Sequence, residues 1–113
     1  MSPERDERLY LSDIVTSIDR ALEYTAGGRE AFFNDRKTQD AVVRNIEIIG
    51  EAVRNLSDAT RRANPQIPWS KIVGTRDRVI HGYFHVNLDI VWEVVETELP
   101  RLRSQIAALL AGG

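Results

Sequence analysis

Three observations predict an all-α fold, an antiparallel bundle of four to five helices. Apolar residues recur every three or four positions in three long stretches, the spacing of one helix face. Glycine, proline and short polar residues fall between those stretches, where helices stop and start. Strand-like alternation, internal repeats and low-complexity tracts are all missing. With 113 residues, a single domain over 1–113 is expected, able to bury about two-thirds of its unfolded surface.

The first stripe is Leu11, Ile14, Ile18, Ala21 and Leu22. Gly27 and Gly28 end it, because glycine enters the left-handed region at little cost. Arg29 to Phe33 reads as a short helical stub, with Asn34 and Asp35 as candidate caps for the next segment. The second stripe is Val42, Ile46, Ile49, Val53 and Leu56. On its opposite face Glu47 has Arg44 three residues back, and Glu51 has Arg54 three residues on. Such pairs stabilise an exposed face by only ~0.2–0.5 kcal/mol each. Ser57 to Asn64 forms a short helix that closes at Pro65. Pro68 suits the first turn of a helix running from about Trp69 to about Ile80, with Gly82 placed to end it. Asn87 caps the last helix and Asp89 favours its first turn. Its stripe is Val91, Val94, Val95, Leu99, Leu102, Ile106 and Leu109. Pro100 removes one backbone donor from it and should kink it.

Composition narrows the function. The chain has no Cys, which excludes disulfides, thiolate metal sites and cysteine nucleophiles together. The N-terminal stretch Met1 to Arg8 is charged and leads into no apolar run of signal-peptide length. No run approaches membrane-spanning length. A cytoplasmic protein without a membrane partner is the expectation. The net charge of −2 argues against non-specific duplex DNA binding, which needs a basic excess. The charge is uneven, however. Between Arg54 and Arg78 stand six cations and only two anions, a basic segment on an acidic body that can hold a phosphate backbone.

Proton-transfer chemistry has few carriers here. The two His, His81 and His85, are the side chains whose ordinary pKa lies nearest neutrality. Four residues apart, Asp77 and His81 would be neighbours on one helix face, where Asp77 could accept a bond from the imidazole. In the last helical turn, His81 would also gain from the helix dipole as a cation. Arg76 and His81 are about 140° apart around an ideal helix. They share a site only if the helix breaks near Gly82, or if two chains meet across a two-fold axis.

The string Arg76-x4-His81-x-Tyr83 resembles the signature of HEPN-type toxins of the HepT branch. So do its flanks: Gln39 to Ala52, Ile67-Pro68-Trp69 leading into Thr75-Arg76-Asp77, then Asp89 to Trp92, and Leu99-Pro100. The resemblance spans about Tyr10 to Leu109. It departs at Asp77, where the family commonly has a small polar residue, often Asn. It implies a HEPN-like bundle and a metal-independent, cofactor-free endoribonuclease toxin. In that reading the substrate's 2′-hydroxyl is the nucleophile, His81 is the base and Arg76 stabilises the charged phosphorane, with Asp77 in support. Lys71 and Arg78 would contact flanking RNA phosphates. The resemblance also implies a partner, a minimal nucleotidyltransferase antitoxin that AMPylates Tyr83. A homodimer that forms a hetero-oligomer with that antitoxin is expected.

Two rival readings use the same residues. His81 and His85, four apart, could be metal ligands on one helix face, though Gly82 interrupts them and no third His or Cys exists. A non-catalytic helical module that docks a nucleotidyltransferase is the other.

Overall fold

A computed structural model describes the backbone of residues 3–81 and 85–112 and the side chains of residues 6–80 and 85–112. The order is α1 (Pro3–Tyr24), α2 (Arg29–Phe33), α3 (Arg36–Asn55), α4 (Asp58–Ala63), α5 (Trp69–Val79), β1 (Ile80–His81), β2 (His85–Val86), α6 (Leu88–Glu93), a π-helical turn (Val94–Glu98) and α7 (Leu99–Gly112). The fold is all-α, as the periodicity predicts. Helix α2 and helix α4 are the short pieces between the long ones.

The three apolar stripes converge in one core. Leu11, Ile14, Ile18 and Ala21 from α1 are buried with Val42, Ile46, Ile49 and Val53 from α3, and with Val91, Val94, Val95, Leu99, Leu102 and Ile106 from the last helical stretch. Polar bonds fix the directions. Glu7, near the start of α1, accepts from the Ser57 backbone N–H just beyond α3 at 2.9 Å. The two helices are therefore antiparallel. Helix α7 also runs against α1, because Arg8 reaches the Leu110 carbonyl (3.1 Å) while Arg103 pairs with Asp19 (2.5 Å). Helix α5 is antiparallel to α3, with Gly50 opposite the Ile72 and Val73 carbonyls and Glu47 opposite Arg76.

Local chemistry sets the boundaries. Gly28 has φ 98°, the left-handed conformation that reverses the chain after α1. Asp35 caps α3 by accepting from the N–H groups of Lys37 and Thr38. Ser57 caps α4 through Thr60, and Asn87 caps α6 through Ile90. The Trp69 indole donates to the carbonyls of Arg61 and Asn64 at 3.1 and 3.0 Å, which ties the end of α4 to the start of α5. Among the described residues no helix is long and apolar enough to cross a membrane.

Three local expectations are corrected. Helix α5 ends at Val79, within a residue of the expected position, but Gly82 does not set that end, since Ile80 is already extended at φ −112°, ψ 118°. Residues 80–81 pair antiparallel with 85–86, in the register Ile80↔Val86 and His81↔His85. The two His are thus cross-strand partners, and not ligands one turn apart on a helix. Second, the helix accommodates Pro100 by widening one turn ahead of it, where the Leu99 N–H bonds to the Val94 carbonyl five residues back. The proline ring crowds the carbonyl four residues before it and offers that carbonyl no donor, and a π turn relieves both. Third, the Arg44–Glu47 and Glu51–Arg54 pairs do not form among the described residues; Glu47 turns to Arg76 instead.

Glu7 yields a pH prediction. Its partial burial raises the carboxyl pKa, but hydrogen bonds from Thr60 and Ser57 and the charge of Arg61 outweigh this and lower it below the ordinary value. A lowered folded-state pKa contributes stability above the unfolded value, about 4.3, which is lost as pH falls through the folded value. Glu7→Gln should therefore melt about 2–5 °C below wild type at pH 7. That gap should close on acidification toward pH 3. Thermal melts of both proteins from pH 7 to 3 measure it, and a gap independent of pH would contradict the assignment.

Candidate functional site

Arg76 lies in the last turn of α5, with its side chain 52% exposed. Its Nε donates to Glu47 Oε2 on α3 at 3.3 Å, and its Nη1 reaches Asp77 Oδ1 at 3.5 Å. The first is a weak ion pair by distance, and the second is at the limit of a hydrogen bond. The guanidinium stands at the rim of an open groove of about 520 Å³ between α1 and α3. Tyr10 and Asp13 form one wall, and Arg44, Glu47, Glu51 and Arg54 form the other. The wall residues on α3 recur at helical spacing because the opposite face of that helix carries the core stripe.

His81 follows α5 directly, in β1. Its backbone is held by the pairing with His85 and, next to it, by the bond from the Asn87 N–H to the Val79 carbonyl at 2.7 Å. Its side chain and the whole of Gly82 and Tyr83 lie outside the described residues. The helical geometry expected for Asp77 and His81 is not present: the chain leaves the helix between them, so they are not one turn apart. His81 also stands beyond the last helical turn, so the dipole argument for its charge loses its geometric basis. Among the described side chains, Asp77 has Arg76 as its partner.

Lys71 and Arg78 fall on a different face. Arg78 forms a two-pronged pair with Glu98, both N···O distances 3.1 Å, and Lys71 approaches the same carboxylate at 3.8 Å. The hydrogen bonds that Arg78 donates to Glu98 hold the Arg78 pKa above its ordinary value, against the opposing effect of partial burial. Beside them lies a smaller cavity of about 140 Å³ between α3, α5, the π turn and α7, with Ile46, Ile49, Ile72, Val94 and Leu102 among its lining residues. The structure therefore separates the cations of the basic segment. Arg76 opens onto the α1–α3 groove, whereas Arg78 and Lys71 gather round Glu98. Among the described residues no group of three or more His, Cys, Asp or Glu is arranged to hold a metal ion.

Sequence reasoning missed Glu47, Arg44 and Arg54 as neighbours of Arg76. Glu47 is 29 residues from Arg76, and no local spacing signals a contact of that range. The one available signal is the charged face of α3, whose residues also have the spacing of pairs within the helix.

Comparison with known proteins gives a family and an activity class. The family described as "Ribonuclease HepT-like" matches residues 14–109. A Thermococcus cleftensis protein named "Probable ribonuclease HepT" is 38% identical over 107 residues, covering 94% of this chain and 97% of that protein. Two proteins named "Putative RNase" are similar as well. One, from Methanocaldococcus jannaschii, is 36% identical over 109 residues, covering 96% of this chain and 90% of its own length. The other, from Caldanaerobacter subterraneus, is 40% identical over 104 residues, covering 91% and 93%. No solved structure matches the chain. With the match running through α1, α3, α5 and the last helical stretch, the chain belongs to the HepT-like ribonuclease family.

Proposed function

We propose that the chain is a metal-independent endoribonuclease, the toxin of a toxin–antitoxin pair, with Arg76 and His81 as its catalytic residues. The observation that carries this reading is Arg76. Its guanidinium is half exposed at a groove, only loosely paired, and five residues from a histidine that follows the helix directly. RNA supplies its own nucleophile. In the proposed step His81 takes the proton of a 2′-hydroxyl, and the 2′-oxygen bonds to the adjacent phosphorus. The bond from phosphorus to the 5′-oxygen breaks, and that oxygen leaves as a hydroxyl after accepting a proton. The products are a 2′,3′-cyclic phosphate and a 5′-hydroxyl end. Arg76 stabilises the charge on the phosphorane oxygens through its fork of donors. Asp77 supports it by limiting the rotation of that fork. Lys71, 55% exposed, supplies a flanking phosphate contact, and Arg78 joins it only by giving up Glu98.

Arg76→Ala and His81→Ala should each lower the rate of RNA cleavage by about 10²–10⁴, with the helical circular dichroism unchanged. Cleavage should persist in a chelator such as EDTA. Activity stopped by chelator and restored by a divalent metal would overturn the metal-independent step. A wild-type chain that cleaves no RNA yet binds a nucleotidyltransferase would instead favour a non-catalytic docking module.

The active species is proposed to be a homodimer. A two-fold axis places two copies of the motif in one cleft, through an interface that is the same patch on both chains. Mixing Arg76→Ala chains with His81→Ala chains should restore part of the activity. An active monomer at assay concentration, by sedimentation, would sink the idea.

Silencing is proposed to act at Tyr83: a minimal nucleotidyltransferase partner joins its phenolic oxygen to the α-phosphorus of ATP, the α–β phosphoanhydride bond breaks, and pyrophosphate leaves. The added phosphates bring negative charge beside Arg76 and His81 and compete for the RNA phosphate position. Co-expression with such a transferase should add mass in AMP units, and Tyr83→Phe should abolish the addition. Full neutralisation of Tyr83→Phe would show that binding of the partner is sufficient.

A further inference from the structure

We propose that Glu47 is a positioning residue for Arg76, one that holds the guanidinium in place for phosphate without touching the substrate itself. The inference rests on the ribonuclease reading above. Glu47 sits mid-way along α3, a helix anchored by buried Ile46, Ile49 and Val53. Its side chain is 34% exposed, against 52% for Arg76, so it is the better fixed of the two. The spacing between their helices is set by close packing. A Cβ built on Gly50 would lie 3.8 Å from the Val73 carbonyl, so α5 and α3 are already near contact one turn from Glu47.

The bonding pattern matters as much as the distance. Glu47 accepts from Nε, the inner donor of the guanidinium. Asp77 reaches Nη1 only at 3.5 Å, and Nη2 has no partner among the described residues. The outer edge, the one that can grip two phosphate oxygens at once, is therefore held only by that long contact to Asp77. Without Glu47 the long Arg76 side chain would sample several rotamers at the groove rim, and part of its binding geometry would have to be formed again at each turnover. Arg44, three residues before Glu47, forms no ion pair with it among the described residues, so the Glu47 carboxylate is not shared within α3.

Glu47→Ala should lower kcat on single-stranded RNA about 10- to 100-fold, the scale of a displaced catalytic group, with KM changed less than about threefold. Glu47→Gln keeps an oxygen that can accept from Nε and should recover most of that loss. An exposed ion pair contributes little to folding, so the melting temperature of all three proteins should agree within about 2 °C. A second readout does not depend on activity. The Arg76 Nε–Hε signal, assigned by its loss in Arg76→Ala, should be visible near neutral pH in ¹⁵N-labelled protein. It should weaken through faster exchange in Glu47→Ala. Wild-type kcat in Glu47→Ala, a loss confined to KM, or an unchanged Nε–Hε signal would overturn the proposal. A wild-type protein that cleaves no RNA would overturn the ribonuclease reading, and the Nε–Hε signal would still decide whether Glu47 holds Arg76.

Discussion

The hydrogen bond from the Asn87 N–H to the Val79 carbonyl, 2.7 Å long, decides where α5 stops, and the candidate site depends on that stop. Within a continuing helix the Val79 carbonyl would have accepted from residue 83. Taken by Asn87, it releases the chain into the short pairing of 80–81 with 85–86. The same asparagine uses its side chain to cap α6. One residue therefore closes the turn between the motif helix and the last helical stretch at both ends. Arg76 stays on a helix packed against α3, and His81 is carried on a strand whose backbone is fixed by its partner. A motif with four residues between arginine and histidine is awkward on one helix, because the two side chains diverge around its axis. Breaking the helix between them removes that restriction.

The core was legible in the sequence because helical burial imposes a period of 3.6. Ile14, Ile18, Val42, Ile46, Ile49, Val53, Val91 and Ile106 stand where that period puts them, and all are buried. The caps were legible for a related reason. Asp35, Ser57 and Asn87 carry short side-chain acceptors that satisfy orphan N–H groups locally. The end of α5 was legible to within a residue but its cause was not, since the bond that takes the Val79 carbonyl comes from a residue eight positions downstream. Pro100 gave a correct warning about the last helix, where the turn ahead of it is π-helical. A proline says that a donor is lost, while the surrounding packing selects a kink or a widened turn.

The charge pattern shows a similar limit. Six cations between Arg54 and Arg78 suggested a single basic patch. In three dimensions they disperse, because residues on successive helices point to different faces. Arg61 pairs with Asp58, Arg78 and Lys71 gather on Glu98, and Arg76 meets Glu47. Net charge along a segment counts cations without their partners. For Arg76 and Arg78 the partners Glu47 and Glu98 come from α3 and the π turn, at sequence separations of 29 and 20.

Differences among these pairs bear on which cation can serve a substrate. Arg78 and Glu98 form two parallel bonds, with side chains 34% and 22% exposed. Such a pair is geometrically specific and partly shielded from water, and a phosphate would have to displace both bonds to engage Arg78. Arg76 is more exposed and makes two long contacts, 3.3 Å to Glu47 through Nε and 3.5 Å to Asp77 through Nη1. Exposed pairs of that kind are worth only ~0.2–1 kcal/mol, so a phosphate can share Arg76 without first breaking a strong contact. Glu47 does reduce the positive potential a phosphate meets on approach. In exchange it removes side-chain freedom that binding would otherwise have to remove. For a group that must stabilise charge only as it develops, a fixed direction is worth more than a larger but mobile charge, because a preorganised donor requires no reorganisation at the moment of reaction.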